Sequence, residues 1–397
     1  MSWTRPTRRA ALGGIAASLA APAILRAQTG PIRIATLTPL TGVGGAYGPS
    51  MRDAVLGVVR MVNEAGGVLG REVAVVSEDT QTSPEAAVRA ARKLIDVDRV
   101  SAIMGTWASS VTTAVAPLCW ESKTMLLTVS GADSITQLPH QGFIARTQPN
   151  SRLQIRVAGE FMLGEGASSL AWIGPQTPFA ASSIEILRGL AEAAGRPFTS
   201  LIYEADKSTY RSEVDAILRS GADFIMLGGY AADSTVLLRD IWQAGYEGRI
   251  IGPAYAVNKT VLEALPPQVL EGIFTWEGAP AVGSSAYEKV KAILGVEEVD
   301  PYSAQTYDHA NLTLLSIARA GEDSGQAIRD TLREISQGGG ETVDNAVDGI
   351  ALIAQGRKID YSGASGPCDF DELGDITGTQ FLFKRIQGGK PSVYRRV

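Results

Sequence analysis

The chain has 397 residues, enough for two domains with separate cores. Its 45% apolar and 20% charged content excludes a disordered polypeptide. The net charge is −6, and loss of residues 1–27 with their four arginines would take it to −10; an acidic body without a cationic cluster argues against nucleic acid or an anionic membrane as partner.

At the N-terminus, "TRRAALGGIAASLAAPAILRA" pairs Arg8 and Arg9 with a mildly apolar Ala/Gly stretch ending in small residues near Ala27. This is the layout of a twin-arginine export signal over residues 1–27. Gly13, Gly14 and Pro22 leave the stretch too short and too weakly apolar to span a membrane. No cysteine follows it, so the expected product carries no lipid anchor.

From Pro31 onward, short β-rich runs alternate with helical ones. "IRIATLTP" reads as a strand and 49–65 as a helix ending at Gly66-Gly67. "EVAVVSED" is a second strand, and the following helix has Ser83 as N-cap, Pro84 at its first position and Glu85 in its first turn. "VSAIMG", a helix from about Ser109 and "TMLLTV" continue the series. The rhythm restarts after "ARTQPNS", with helices at 151–164, 180–194, 209–219 and 233–244 between the strands "SLAWIG", "TSLIYE", "DFIMLGG", "RIIGP" and "GIFTW". Repeated βα units of this kind build parallel sheets covered by helices on both faces. The stretch after Trp276 is mainly helical to about Gln337, and the C-terminus reads as a β-hairpin turning at Gly388-Gly389. The fold class is therefore α/β, with two doubly wound parallel-sheet lobes.

The glycine-rich stretch "TGVGGAYG" invites comparison with a nucleotide loop. Counted from Gly42, it has Tyr47 where a dinucleotide loop places its third glycine, and it lacks the lysine of a phosphate loop. A tight turn after a strand fits better, with a helix start whose free N–H groups can face an anion or a carbonyl. Catalytic constellations are absent. The two histidines, His140 and His309, have neither a nucleophile motif nor metal-ligand spacing, and Cys119 and Cys368 are read as two unpaired thiols. No cofactor, no metal and no enzymatic activity are expected. The loop "GTWASSVTTAV" is more informative: it places Trp107, Ser109 and Ser110 between a strand end and a helix start. In open α/β sheets ligands sit outside the carboxyl ends of strands. Tyr47 and "SGA" (Ser130, Gly131, Ala132) lie at such ends in the first half, as do "GPQTPF", "GGY" and "GPAY" in the second.

Taken together, "PLTG…YG", "NEAGGVLGREV", "EDTQTSPEAAVRAARKLI", "IMGTWASSVTTAVAP", "RTQPNSRLQ", "GGYAADSTVLLRDIWQAG", "YDHANLTLL" and "SGPCDFDELGD" resemble the periplasmic solute-binding proteins of branched-chain amino acid and amide ABC transporters. The matching segments run nearly end to end. The resemblance implies the type I periplasmic-binding fold, with three interlobe crossings. It also implies a first lobe of 30–148 plus 277–354 and a second of 149–276 plus 355–397. Ligand contacts carried over from the family fall on Tyr47, Ser109, Ser110, Ser130, Gly131, Ala132, Tyr230 and Tyr302, while Trp107, Phe179 and Tyr255 are read as further walls for the body of the guest. The chain departs from the amino-acid-binding pattern at Ala132 (threonine in relatives), at Ala254-Tyr255 (glutamate after "GP") and at Phe179-Ala180 (tyrosine-glycine). Without an anion to pair with a ligand ammonium, the expected guest is a carboxylate or amide with an apolar or aromatic body.

The expected role is a periplasmic, monomeric receptor that closes on a small-molecule solute and delivers it to a membrane-embedded ABC permease. Two other readings are a cytosolic amide-sensing regulator of the same fold, opposed by the export signal, and an exported hydrolase, opposed by the missing nucleophile–base set.

Overall fold

The computed structural model describes residues 30–397, so the expected export signal lies outside the described residues. Strands β1 (Ile32–Thr38), β2 (Val73–Asp79), β3 (Ala102–Thr106), β4 (Met125–Thr128) and β5 (Ile144–Arg146) alternate with helices α1 (Gly48–Glu64), α2 (Pro84–Arg92) and α3 (Ser109–Ser122). The strands form one parallel sheet in the order β2-β1-β3-β4-β5. β3 and β4 are buried along their whole length, as strands covered on both faces must be.

After a crossing at 147–150, α4 (Ser151–Gly164) leads into β6 (Leu170–Pro175), α5 (Pro178–Ala193), β7 (Phe198–Tyr203), α6 (Arg211–Arg219), β8 (Phe224–Leu227), α7 (Ala231–Gln243) and β9 (Arg249–Pro253). Two short helices, α8 (Lys259–Ala264) and α9 (Pro267–Leu270), precede β10 (Phe274–Gly278). The chain then returns to the first sheet through α10 (Ser285–Leu294), α11 (Pro301–Ala320), α12 (Gly325–Gln337), β11 (Glu341–Val343), α13 (Ala346–Ala354), β12 (Ile359–Gly363) and β13 (Gly366–Pro367). It ends in the hairpin β14 (Phe381–Gln387) and β15 (Lys390–Arg396). The second sheet runs β7-β6-β8-β9-β10-β14-β15, with the last two strands antiparallel to their neighbours. Its first five strands repeat the order of the first sheet, so each lobe has a switch point where the winding reverses.

Local chemistry sets the helix starts. Ser83 accepts from Ala86 N, Asn150 from Leu153 N and Thr177 from Ala180 N, while Asp300 accepts from both Tyr302 N and Ser303 N. Proline occupies the first turn of α2, α5 and α11, where its missing N–H leaves no bond unmade. The helical stretch expected past Arg92 continues instead as one π-helical turn, Lys93–Val97.

One boundary differs from expectation. Ile359, Tyr361, Cys368, Phe370 and Ile376 pack in the same apolar cluster as Ile32, Ile34, Val58 and Leu314, so the segment up to about 376 covers the first sheet rather than the second. Asp308 of α11 holds that segment in place: its carboxylate accepts from Tyr361 Oη at 2.7 Å, Ala364 N at 2.8 Å and Ser365 N at 2.8 Å. The crossing from first to second sheet therefore follows 376. Arg146, fully buried, ties it to the first crossing. Its Nε lies 2.6 Å from Asp375 Oδ1, and its other nitrogens donate to Thr136 Oγ1 and to the carbonyls of Ser130 and Ala132. Cys119 and Cys368 are both buried free thiols.

Candidate functional site

The carboxyl ends of β1 and β3 in the first lobe face those of β6, β8 and β9 in the second. Five rings meet there. Trp107 stacks on Tyr47 at 5.7 Å between centroids and meets Tyr302 edge-on at 5.8 Å, both within the first lobe. Across the cleft it touches Tyr230 at 5.4 Å and Tyr255 at 5.6 Å. The glycines of "TGVGGAYG" are explained by this packing. A Cβ on Gly44 would lie 2.8 Å from the Trp107 ring, and one on Gly48 would lie 2.0 Å from the Pro39 carbonyl oxygen. The loop is glycine-rich because the indole and Pro39 sit directly against its backbone.

Behind the rings lies a narrow pocket whose free cavity volume is about 40 Å³. Trp107, Ser109, Gly131, Phe179, Tyr230, Tyr255 and Tyr302 line it, together with Ala108, Val129, Gln148, Gln154, Thr177 and Gly228. Every one of these side chains is neutral. Helix α3 starts at this pocket from Ala108 and helix α7 from Tyr230, and neither has a side-chain cap. Their first N–H groups and positive dipole ends suit an anionic group. Ser109 Oγ accepts from Ala132 N at 3.2 Å, which leaves its O–H free to donate. Burial pushes the Tyr230 phenol up to about 12 and those of Tyr255 and Tyr302 well above 10, so the phenols stay neutral donors.

Some expected residues stand elsewhere. Ser130 is fully buried, and its hydroxyl is engaged by Thr112 Oγ1 at 2.5 Å and by the Trp107 carbonyl at 2.9 Å. It supports the loop instead of lining the pocket. Ala132 is equally buried and contributes only backbone bonds, to Ser109, Ile135 and Arg146. Ser110, one residue into α3, is not among the lining residues. Tyr47 faces an adjoining cavity, which shares Gln148, Gln154, Tyr255 and Tyr302 with the pocket. Burial raises its phenol against the opposing pull of Asn258.

Sequence reasoning missed Gln148, Gln154 and Thr177. Gln148 lies on the first crossing just after β5 and Gln154 in the first turns of α4, and neither belongs to the strand-end segments singled out in the sequence. Thr177 lies in one of those segments, "GPQTPF", and caps α5. Three carboxylates stand close by and are already engaged: Asp233, in the first turn of α7, accepts from Tyr210 Oη at 2.6 Å, while Glu277 and Asp300 line the adjoining cavity. Glu277 pairs with Lys384 at 2.9 Å, and Asp300 accepts from Ser303 Oγ at 2.5 Å. Among the described residues no three His, Cys, Asp or Glu side chains are placed to hold a metal, and no helix is long and apolar enough to cross a membrane.

Two α/β lobes with the same strand order, three crossings and a neutral aromatic pocket between strand ends define a type I periplasmic binding fold. The family model described as periplasmic binding protein matches residues 31–373, and the chain belongs to that family. It is 27% identical over 363 residues to the chemotactic signal transduction system substrate-binding protein BasB of Halobacterium salinarum, covering 88% of this chain and 86% of that one. Among solved structures, it resembles the leucine binding protein LivK of Thermotoga maritima with a TM-score of 0.78 and 21% identity, over 92% of this chain and 98% of that one. A solute binding protein of an R. palustris ABC transporter, solved in complex with benzoate, gives a TM-score of 0.75 at 16% identity, over 92% and 96%. These relatives and neighbours are binding proteins, not enzymes, and the chain is a solute-binding protein.

Proposed function

We propose that this protein is the exported, periplasmic receptor of an ABC uptake transporter, and that its guest is a small carboxylate with an aromatic or apolar body and no ammonium group. The observation that carries the reading is the pocket's composition: two helix starts without side-chain caps and a ring-walled interior, with no charged side chain in its lining. A carboxylate gains the free N–H groups, Ser109 and the tyrosine hydroxyls, whereas an ammonium would be desolvated with no anion beside it. The benzoate complex of the R. palustris protein is a solute of this chemical class on the same fold.

In this reading the first lobe takes the solute through Trp107 and Ser109, and closure brings Phe179, Tyr230 and Tyr255 over it. The export route is the twin-arginine pathway, the working unit is a monomer, and the partner is a membrane-embedded permease. The likeness to BasB supports a second destination, a chemotactic transducer that reads the same closed form.

A thermal-shift and calorimetric screen with benzoate, phenylacetate, leucine, isoleucine and acetamide tests the reading. Benzoate or phenylacetate is expected to raise Tm and to bind in the micromolar range or tighter. A preference for leucine or isoleucine overturns it.

A further inference from the structure

The two glutamines that sequence reasoning missed line the same pocket. Gln148 and Gln154 are 7% and 5% exposed, and both line the pocket where it meets the adjoining cavity. One end of each amide is committed. Gln305 Nε2 donates to Gln148 Oε1 at 2.7 Å, and Gln154 Nε2 donates to the Pro149 carbonyl at 2.9 Å. Among the described residues, Gln148 Nε2 and Gln154 Oε1 have no protein partner. One is a donor and the other an acceptor. A Cβ on Gly131 would lie 2.7 Å from Gln154 Nε2 and 3.1 Å from the Phe179 ring, so the Gly131 backbone sits closely against both.

We propose that Gln148 and Gln154 recognise a hydroxyl on the body of the bound carboxylate, which accepts from Gln148 Nε2 and donates to Gln154 Oε1. This rests on the carboxylate reading above. A hydroxyl is the smallest group that both accepts and donates through one atom. A second carboxylate would face the Gln154 oxygen with no cation in the lining. A site whose buried amides are satisfied by a substrate hydroxyl rejects the analogue that lacks it, because the amides then lose water without gaining a partner. The pair therefore sets specificity among acids that all satisfy the helix starts.

Isothermal titration of the full mature chain with benzoate, 3-hydroxybenzoate, 4-hydroxybenzoate and the corresponding methoxybenzoates tests this. At least one hydroxybenzoate is expected to bind ten-fold or more tightly than benzoate, and its methoxy analogue, which accepts but cannot donate, should lose that advantage. In Gln154→Leu and, separately, Gln148→Leu, the ratio of hydroxybenzoate to benzoate affinity should fall to within three-fold of one. Benzoate binding by each variant reports that its pocket is folded. If benzoate binds and the hydroxyl changes nothing, this inference alone is overturned. If no aromatic acid binds, the carboxylate reading falls and takes this one with it.

Discussion

Trp107 and Tyr230 come from different lobes, yet their ring centroids are 5.4 Å apart. The indole is the hub of the cleft, since it also touches Tyr47, Tyr255 and Tyr302. Trp107→Ala removes contacts within the first lobe and across the cleft together. Affinity for benzoate, measured by calorimetry, is expected to fall about 30- to 100-fold, the effect of truncating a buried aromatic anchor. An unchanged affinity would show that the indole is not part of the binding surface.

Gly228 is a second sensitive point. A Cβ there would come within 1.9 Å of the fully buried Trp172 ring, beside the pocket wall. Gly228→Ala should cost about 1–3 kcal/mol in urea unfolding through overpacking, and it should weaken solute binding as well. A stability equal to wild type would mean that the indole can move aside freely.

Arg146 and Asp375 form a buried pair at 2.6 Å. Burial alone would raise the Asp375 carboxyl, but the Arg146, Asn150 and Thr136 hydrogen bonds outweigh it and hold the group below the ordinary aspartate value. The stabilisation is therefore present above that ordinary value and is lost as pH falls through the lower folded one. Asp375→Ala strands the guanidinium and is expected to cost about 3–5 kcal/mol near neutral pH by denaturant titration. The cost should shrink in acid.

His309 gives the opposite chemistry the same sense of pH dependence. Its Nε2 lies 2.8 Å from the Thr147 hydroxyl at the first crossing, and burial pushes its pKa down to about 3 from 6.5. A base with a depressed folded pKa stays neutral in the fold while the unfolded chain takes up a proton, so stability falls as pH drops below 6.5. Between pH 6.5 and 4.5 wild type should lose on the order of 2–3 kcal/mol more than His309→Gln. Parallel pH profiles for the two proteins would refute this.

Cys119 and Cys368 are buried and unpaired, and burial pushes the Cys119 thiol up to about 12. A thiol reagent at pH 8 is expected to leave both unmodified in the native protein and to label both after denaturation. Rapid labelling without denaturant would contradict the burial.

The two-lobed α/β architecture was legible because βα alternation, N-caps such as Ser83 and closing glycines act locally, and the restart after residue 150 repeats the pattern. The aromatic residues of the cleft were legible for a topological reason: they follow strand ends, where open sheets bind. Gln148 follows β5 but only on the crossing, Gln154 lies inside α4, and the orientation of the Gln148 amide depends on Gln305, 157 residues away. Ser130 misled because a hydroxyl after a strand can serve the pocket or the loop, and only the position of Thr112 decides between them. The placement of 355–376 escaped notice because it depends on Asp308, a buried acid whose partners are more than fifty residues away in the chain.

The Arg146–Asp375 pair lies at the inner end of two of the three connections between the lobes, and both of its members belong to the first lobe. Each of those connections is therefore only a few residues long, 147–150 in one and 377–380 in the other. In the closure proposed above, two lines this short would let the second lobe swing about them but leave it little room to slide or twist.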